Sequence, residues 1–246
     1  MDLLFPEDLI SNLGVPQLID IRDQLPVNSN YTWGQLAGVR PLEDLTTIAL
    51  HHDAISKTST AGNSDLQLAT NIAKSHIRLT KNEEKGDAGF PYHVWIRNGK
   101  AYWTNNVLDR TYGVASNNGY TVHVCVSGDY VNGDSLTEDD RRVLTAVCVD
   151  ISKQLPSYKG IKAHCELNAT SCPGYDYNRI KADVASYDQM VQERYRNRVN
   201  AAYNTVLRFQ DLYNKAKDPA FQFKDVALCK LEDIAAYMVQ KDYMNP

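Results

Sequence analysis

The chain has 246 residues, 43% of them hydrophobic and 23% charged, with a formal net charge of -4 and a mean hydropathy of -0.43. Such a chain is long enough for one sizeable core with a small appendage, its weakly acidic balance argues against a nucleic-acid partner, and it contains no stretch of roughly 18 apolar residues that would span a membrane. Its five cysteines, Cys125, Cys148, Cys165, Cys172 and Cys229, are odd in number and unevenly spaced, which argues against a disulfide framework.

Residues 1–45 read as irregular and proline-punctuated, with one short helical or strand-like stretch at 17–22. Residues 45–51, ending Ile48-Ala49-Leu50-His51, read as a buried strand, and residues 65–79 place Leu66, Leu68, Ile72, Ala73 and Ile77 near helical spacing, with Asn63 or Ser64 as the cap. Asn98-Gly99 between His93-Val94-Trp95-Ile96-Arg97 and Lys100-Ala101-Tyr102-Trp103 predicts a two-residue hairpin turn. Residues 120–127 predict another strand. Thr137 and Asp140 open a helix that runs to about Leu155 along Leu144, Val147, Cys148 and Ile151, and residues 160–164 supply a last strand.

This alternation predicts an α/β domain on a mixed central β-sheet flanked by helices, over residues 1–177. From 178 onward Ile180, Val184, Tyr187, Val191, Tyr195, Val199, Ala202, Val206, Phe209 and Tyr213 recur every three or four positions, so residues 178–246 read as an all-α extension. Its first part is one long helix or two stacked ones. A further helix at 226–239 follows Pro219, Phe221 and Phe223, and the extension serves for packing, wall binding or self-association.

His51 and His164 each close a strand in this reading, so both can meet at the edge of the sheet beyond the strands' carboxyl ends, where α/β sheets gather ligands. Cys172 stands eight residues after His164. Two imidazoles and a thiolate make a three-ligand zinc site with its fourth position open, the arrangement of catalytic rather than structural zinc. Tyr92, entering the hairpin, could set a phenolic hydroxyl near that site, and Thr170 could offer a hydroxyl to a developing oxyanion.

Ile48-Ala49-Leu50-His51-His52, Pro91-Tyr92-His93-Val94-Trp95-Ile96 and His164-Cys165-Glu166-Leu167 through Cys172-Pro173-Gly174 together resemble the zinc-dependent N-acetylmuramoyl-L-alanine amidases, a family that includes phage endolysins and peptidoglycan recognition proteins. The resemblance covers residues 15–180 and leaves out the helical tail. It implies that Zn2+ is held by His51, His164 and Cys172, and that the amide between N-acetylmuramic acid and L-alanine in peptidoglycan is hydrolysed. It further implies that Tyr92 positions or helps deprotonate the attacking water, that Thr170 is the family's threonine alternative to lysine, and that Asn118 lines the substrate groove. Relatives without a thiolate or carboxylate as third ligand commonly bind peptidoglycan without cutting it, so Cys172 points to an enzyme. A non-lytic recognition module and a bacterial wall-remodelling amidase remain alternatives.

Other residues read more plainly. His52 points away from His51 and reads as a core or supporting histidine, with a fourth ligand as its alternative, and His93 reads as a satisfied buried histidine, with a hydrogen bond near the site as its alternative. His76 and His123 read as structural, and Asn117 and Asn118 first of all as turn residues. A zinc deaminase lacks its second cysteine pair here, and the His-Glu-x-x-His motif of zinc proteases is absent. A cysteine hydrolase with Cys172 as nucleophile and His164 as base stays open. The amino terminus lacks a basic segment followed by a long apolar one, which fits synthesis in a host cytoplasm and holin-mediated release to the wall.

Overall fold

The structure, a computed structural model, describes residues 3–78 and 86–215, with side chains as far as residue 207. The helix expected at 226–239, the aromatic pair before it and Cys229 lie outside the described residues. Two compact units divide the chain, Met1–Ala185 and Ser186–Pro246.

The first unit begins with α1 (Glu7–Leu13), β1 (Ile19–Asp20) and α2 (Trp33–Leu36). Helix α1 escapes a reading by periodicity because it is two turns long and buries only Leu9. Its punctuation is the better signal, since Pro6 precedes it and the Gly14 N–H closes it on the Ile10 carbonyl. Helix α2 is a single turn fixed by a capping box, in which the Thr32 hydroxyl accepts from the Gln35 N–H and the Gln35 side chain accepts from the Thr32 N–H.

The core follows with β2 (Thr47–His52), α3 (Asp65–Ile77), the hairpin β3 (Val94–Arg97) and β4 (Lys100–Trp103), β5 (Thr121–Val126), α4 (Glu138–Gln154) and β6 (Gly160–Ala163). Six strands form one sheet in the order β1-β4-β3-β5-β2-β6. Every neighbouring pair is parallel except the β3–β4 hairpin, whose turn holds Asn98 at φ 52° and Gly99 at φ 69°, the left-handed pair that the dipeptide favours. Every residue of β2, β3 and β5 is buried. Continuous burial is what a parallel sheet covered on both faces requires.

Alternation along the strands sets Trp95, Tyr102 and Cys125 on one face, where they pack with Leu68, Ala69, Ile72 and Ala73 of α3 and with Phe90. Ser64 caps α3 through the Gln67 N–H, one of the two candidate caps. The alternate positions, among them Ile48, Leu50, Val94, Ile96, Val122 and Val124, are buried and form the other face, and α4 runs across β2, β3, β4 and β5. Asp140, buried at the start of α4, accepts from the Gly99 N–H and pairs with Lys57, tying the hairpin turn to the helix.

A buried arginine joins the irregular segments to this sheet. The Arg40 guanidinium, 5% exposed, donates through Nη1 to the carbonyls of Asn118 (2.8 Å) and Thr121 (2.6 Å) and through Nη2 to those of Val107 (2.7 Å) and Asp109 (2.8 Å). Carbonyl dipoles and the Asp109 charge offset the buried cation, while burial and then Arg110 lower its pKa to about 10.

In the last part of the described chain, α5 (Tyr177–Lys215) is one continuous helix rather than two. The division between units falls at residue 185, later than the change of texture at 178. The first turns of α5 explain this, since Ile180 is fully buried and Asp183 pairs with Arg141 of α4. No helix among the described residues is long and apolar enough to cross a membrane.

Because lysine cannot serve four carbonyls from one planar fork, Arg40→Lys should leave at least one buried carbonyl unpaired, at a cost of about 1–3 kcal/mol. Urea unfolding of the two proteins measures this directly, and equal midpoints would refute the role assigned to the fork.

Candidate metal centre

The site is built by the register of β2. Parallel pairing sets Leu50 beside Val124 of β5 on one side and beside Ala163 of β6 on the other. The next residue on β2 is His51, and the next after β6 is His164. Their rings lie 4.8 Å apart, centroid to centroid.

His164 opens a 3-10 turn, His164–Glu166, that turns the chain sharply as the strand ends. The Glu166 carboxylate holds this turn by accepting from the Ala163 N–H (2.7 Å) and pairs with Lys181 on α5 (2.7 Å). Cys172 is brought back by backbone and side-chain bonds together: its carbonyl accepts from the Cys165 N–H (2.9 Å), and its own N–H donates to Thr170 Oγ1 (3.2 Å). The Cys172 sulfur accepts from the His52 N–H at 3.3 Å and stands 4.0 Å from His51 Nδ1.

The donor atoms of His51, His164 and Cys172 all lie within 4.8 Å of one another, and this is the only His, Cys, Asp or Glu cluster of that kind among the described residues. Tetrahedral zinc with its usual bond lengths sets ligands roughly 3.3–3.6 Å apart, so side-chain adjustments of about 1 Å would close the set. Two nitrogens and one sulfur suit a borderline-soft divalent ion. The ionisation states fit as well. Burial, reinforced by His164, His93 and His52, holds His51 well below its usual pKa, and burial followed by His52 lowers His164, so both imidazoles offer lone pairs at neutral pH. Burial pushes the Cys172 thiol up to about 11, so it keeps its proton until a cation displaces it.

No family model and no curated protein sequence matches this chain. Solved structures do match it. The endolysin N-acetylmuramoyl-L-alanine amidase LysCS from Clostridium intestinale is similar at a TM-score of 0.51 and 19% identity, over 70% of this chain and 97% of that one. The amidase LysC from the same organism gives the same TM-score and identity over 70% and 99%. Peptidoglycan recognition protein-LE, solved in complex with tracheal cytotoxin, a monomeric diaminopimelic acid-type peptidoglycan, is similar at 0.53 and 15% over 69% and 92%. This chain has the amidase and recognition-protein fold.

On that fold the remaining predicted residues take distinct places. The Tyr92 ring is partly buried, 5.1 Å from the His51 ring, and its hydroxyl is 3.5 Å from the His52 carbonyl. Burial, with the Cys125, Cys172 and Asp53 groups adding, raises its pKa well above the usual phenol value, so the phenol keeps its proton. Thr170 is exposed, and its oxygen is already an acceptor for Cys172, which leaves its O–H proton to donate. Asn118 sits differently from a groove residue. Its side chain is 4% exposed, and Oδ1 accepts from the Gly113 (3.0 Å) and Val114 (2.8 Å) N–H groups, so it fixes a loop.

Two supporting groups are not apparent from the sequence, Asp53 and His123, and they join His93, which the sequence offers as a buried histidine with a hydrogen bond near the site as its alternative. Asp53, just past β2, accepts from the Gly128 and Ile55 N–H groups and from Trp95 Nε1, locking the strand end beside the cluster. His123 Nδ1 lies 3.0 Å from His51 Nε2. His93 stacks on His123, with centroids 5.3 Å apart and planes 9° from parallel. It accepts the His123 N–H at Nδ1 (2.9 Å), contacts the Asp109 carbonyl through Nε2 (2.9 Å), and faces Arg40 Nη2 at 3.2 Å. The available signal was His123 itself, a polar residue in the apolar run Val122-His123-Val124-Cys125-Val126, where burial demands a partner.

Burial and then the Arg40 charge hold His93 down to about 3, against 6.5 for a free imidazole. The unfolded chain therefore binds a proton that the folded one refuses as pH falls from 6.5 toward 3. Folding stability should drop with a slope on the order of 1 kcal/mol per pH unit from this group across that window. His93→Gln should flatten the fall of the urea midpoint between pH 6.5 and 5, and an unchanged slope would remove His93 as its source.

Proposed function

We infer that this chain is a zinc-dependent N-acetylmuramoyl-L-alanine amidase, cutting the amide between N-acetylmuramic acid and L-alanine in bacterial peptidoglycan, and that it serves as a phage or prophage endolysin. The observation that carries the chemistry is Cys172. A sulfur donor completes a set of three on a fold shared by amidases and recognition proteins, and a three-donor set leaves one position for water or substrate.

Bound by His51, His164 and Cys172, zinc would supply a Lewis acid and activate water for attack on a carbonyl. The chain's own groups then have separate tasks. The Tyr92 phenol, protonated and beside His51, donates a hydrogen bond that orients what enters the site. The Thr170 hydroxyl, held at the Cys172 N–H, donates to an oxyanion developing on the substrate carbonyl. Asp53 and the His52 N–H keep the end of β2 and the Cys172 sulfur from shifting while charge moves.

The rival use of Cys172 as a nucleophile fares worse on the same geometry. A nucleophilic thiol needs a lowered pKa, and burial here drives it the other way, opposed by the His52 N–H and reinforced by the Cys165 and Asp53 groups. A recognition module that binds without cutting shares the fold, so the outcome of hydrolysis decides between the two.

Mass spectrometry of muropeptides released by the zinc-loaded chain from diaminopimelate-type and lysine-type walls should find free stem peptides and unsubstituted lactyl groups. Cys172→Ala and a strong chelator should each abolish release. Walls bound but left intact by zinc-replete protein would make the chain a binder. Activity that survives chelation would instead restore the cysteine nucleophile.

Tyr92→Phe should keep the zinc content of the native chain and lower turnover by about 100-fold, the size expected for one lost donor. Zinc loss in that variant, measured by elemental analysis, would show that the phenol supports the ligands rather than the reaction.

A further inference from the structure

Beyond the three donors, the buried imidazole of His123 completes an oriented chain of hydrogen bonds that ends on His51 Nε2, the ring nitrogen turned away from Cys172. Its direction can be followed from the loop inward. The Thr121 hydroxyl donates to the Asn117 carbonyl at 3.0 Å, and a carbonyl can only accept, so the single Thr121 proton is committed there. His123 Nε2 lies 3.3 Å from Thr121 Oγ1 and must then be the donor. A neutral imidazole with its proton on Nε2 presents a lone pair at Nδ1, and this lone pair faces His51 Nε2 at 3.0 Å. His51 therefore carries its own proton on Nε2. Its Nδ1 is left bare, and that is the atom facing Cys172 Sγ at 4.0 Å.

The surroundings hold the His123 ring in place. The ring is fully buried and stacked on His93, whose Nδ1 receives the His123 backbone N–H. The loop carrying Gly113 crosses the ring so closely that a Cβ at Gly113 would stand 2.7 Å from His123 Nδ1. Only glycine permits that approach. The same loop is closed by Asn118 Oδ1, so the buried asparagine and the oriented histidine belong to one assembly.

We propose that His123, aligned by Thr121, is a positioning residue that fixes the tautomer of His51 and thereby makes Nδ1 a ready metal donor. This inference rests on the reading of His51, His164 and Cys172 as a zinc centre, but its first test does not need the metal. An alternative role, space-filling alone, would leave the tautomer indifferent to Thr121.

Long-range nitrogen–proton NMR of the metal-free full chain should find His51 and His123 both protonated on Nε2. Zinc affinity, measured with zinc ion alone against a competing chelator, should fall about 10- to 100-fold in Thr121→Val and in His123→Leu, the range typical when an outer partner of a ligating histidine is removed. His123→Asn, whose side-chain oxygen can accept at the position of Nδ1, should recover most of the loss. His51 protonated on Nδ1 in the native metal-free chain, or zinc affinity in Thr121→Val within twofold of native, would overturn the proposal. Should His123→Leu fail to fold, the isosteric Thr121→Val and the NMR of the native chain decide the matter. Failure of the native chain to bind zinc, with His51 still protonated on Nε2, would count against the metal centre while leaving the oriented tautomer standing.

Discussion

The register of β2 between two parallel neighbours is the constraint from which the rest follows. With Leu50 level with both Val124 and Ala163, the residues that come next on β2 and β6 are the two imidazoles of the candidate site, and the neighbour across β5 is Cys125, with His123 two positions earlier on the same face. A slip of one residue would turn His51 toward α4 and put Leu50 among the polar groups. Such a slip is opposed on both faces, because every β2 residue is buried and each face has its own matching apolar layer. Site geometry and core packing are one requirement.

That arrangement brings an unusual density of polar groups into a parallel sheet. Three of these groups are held by several partners each: Arg40 has four carbonyls, Asp53 has two backbone N–H groups and an indole, and His93 has an N–H on one nitrogen and a carbonyl on the other. Fully paired networks rigidify an interior, whereas partly paired ones destabilise it. His51, His164 and Cys172 thus sit on a support that has few alternative arrangements, the kind of preorganisation that a three-donor metal site requires.

How much of this could be read in the chain itself divides by the range of the interaction. The Asn98-Gly99 turn, the Ser64 and Thr137 caps and the buried strands are local, and they stand within a few residues of where periodicity and turn chemistry set them. His51, His164 and Cys172 were legible through residue type, spacing and strand ends, and they do converge. Helix α1 was missed because one buried leucine gives no period. His123 and Arg40 escape for another reason, since His51 lies 72 residues from His123 and the four carbonyls lie 67 to 81 residues from Arg40, and these pairings depend on register, which sequence spacing does not carry. Asn118 illustrates the same limit: its type suits either a groove or a turn, and only its burial distinguishes them.

The bond between Glu166 and Lys181 ties the turn bearing His164 to the first turns of α5. Both side chains are roughly a quarter exposed, so the pair itself contributes less than about 1 kcal/mol. Its significance is one of anatomy. Together with buried Ile180, it makes the opening of the helical tail part of the scaffold under His164. A protein shortened at residue 178, where the sequence changes from mixed to helical, would lose a brace of the turn that carries His164.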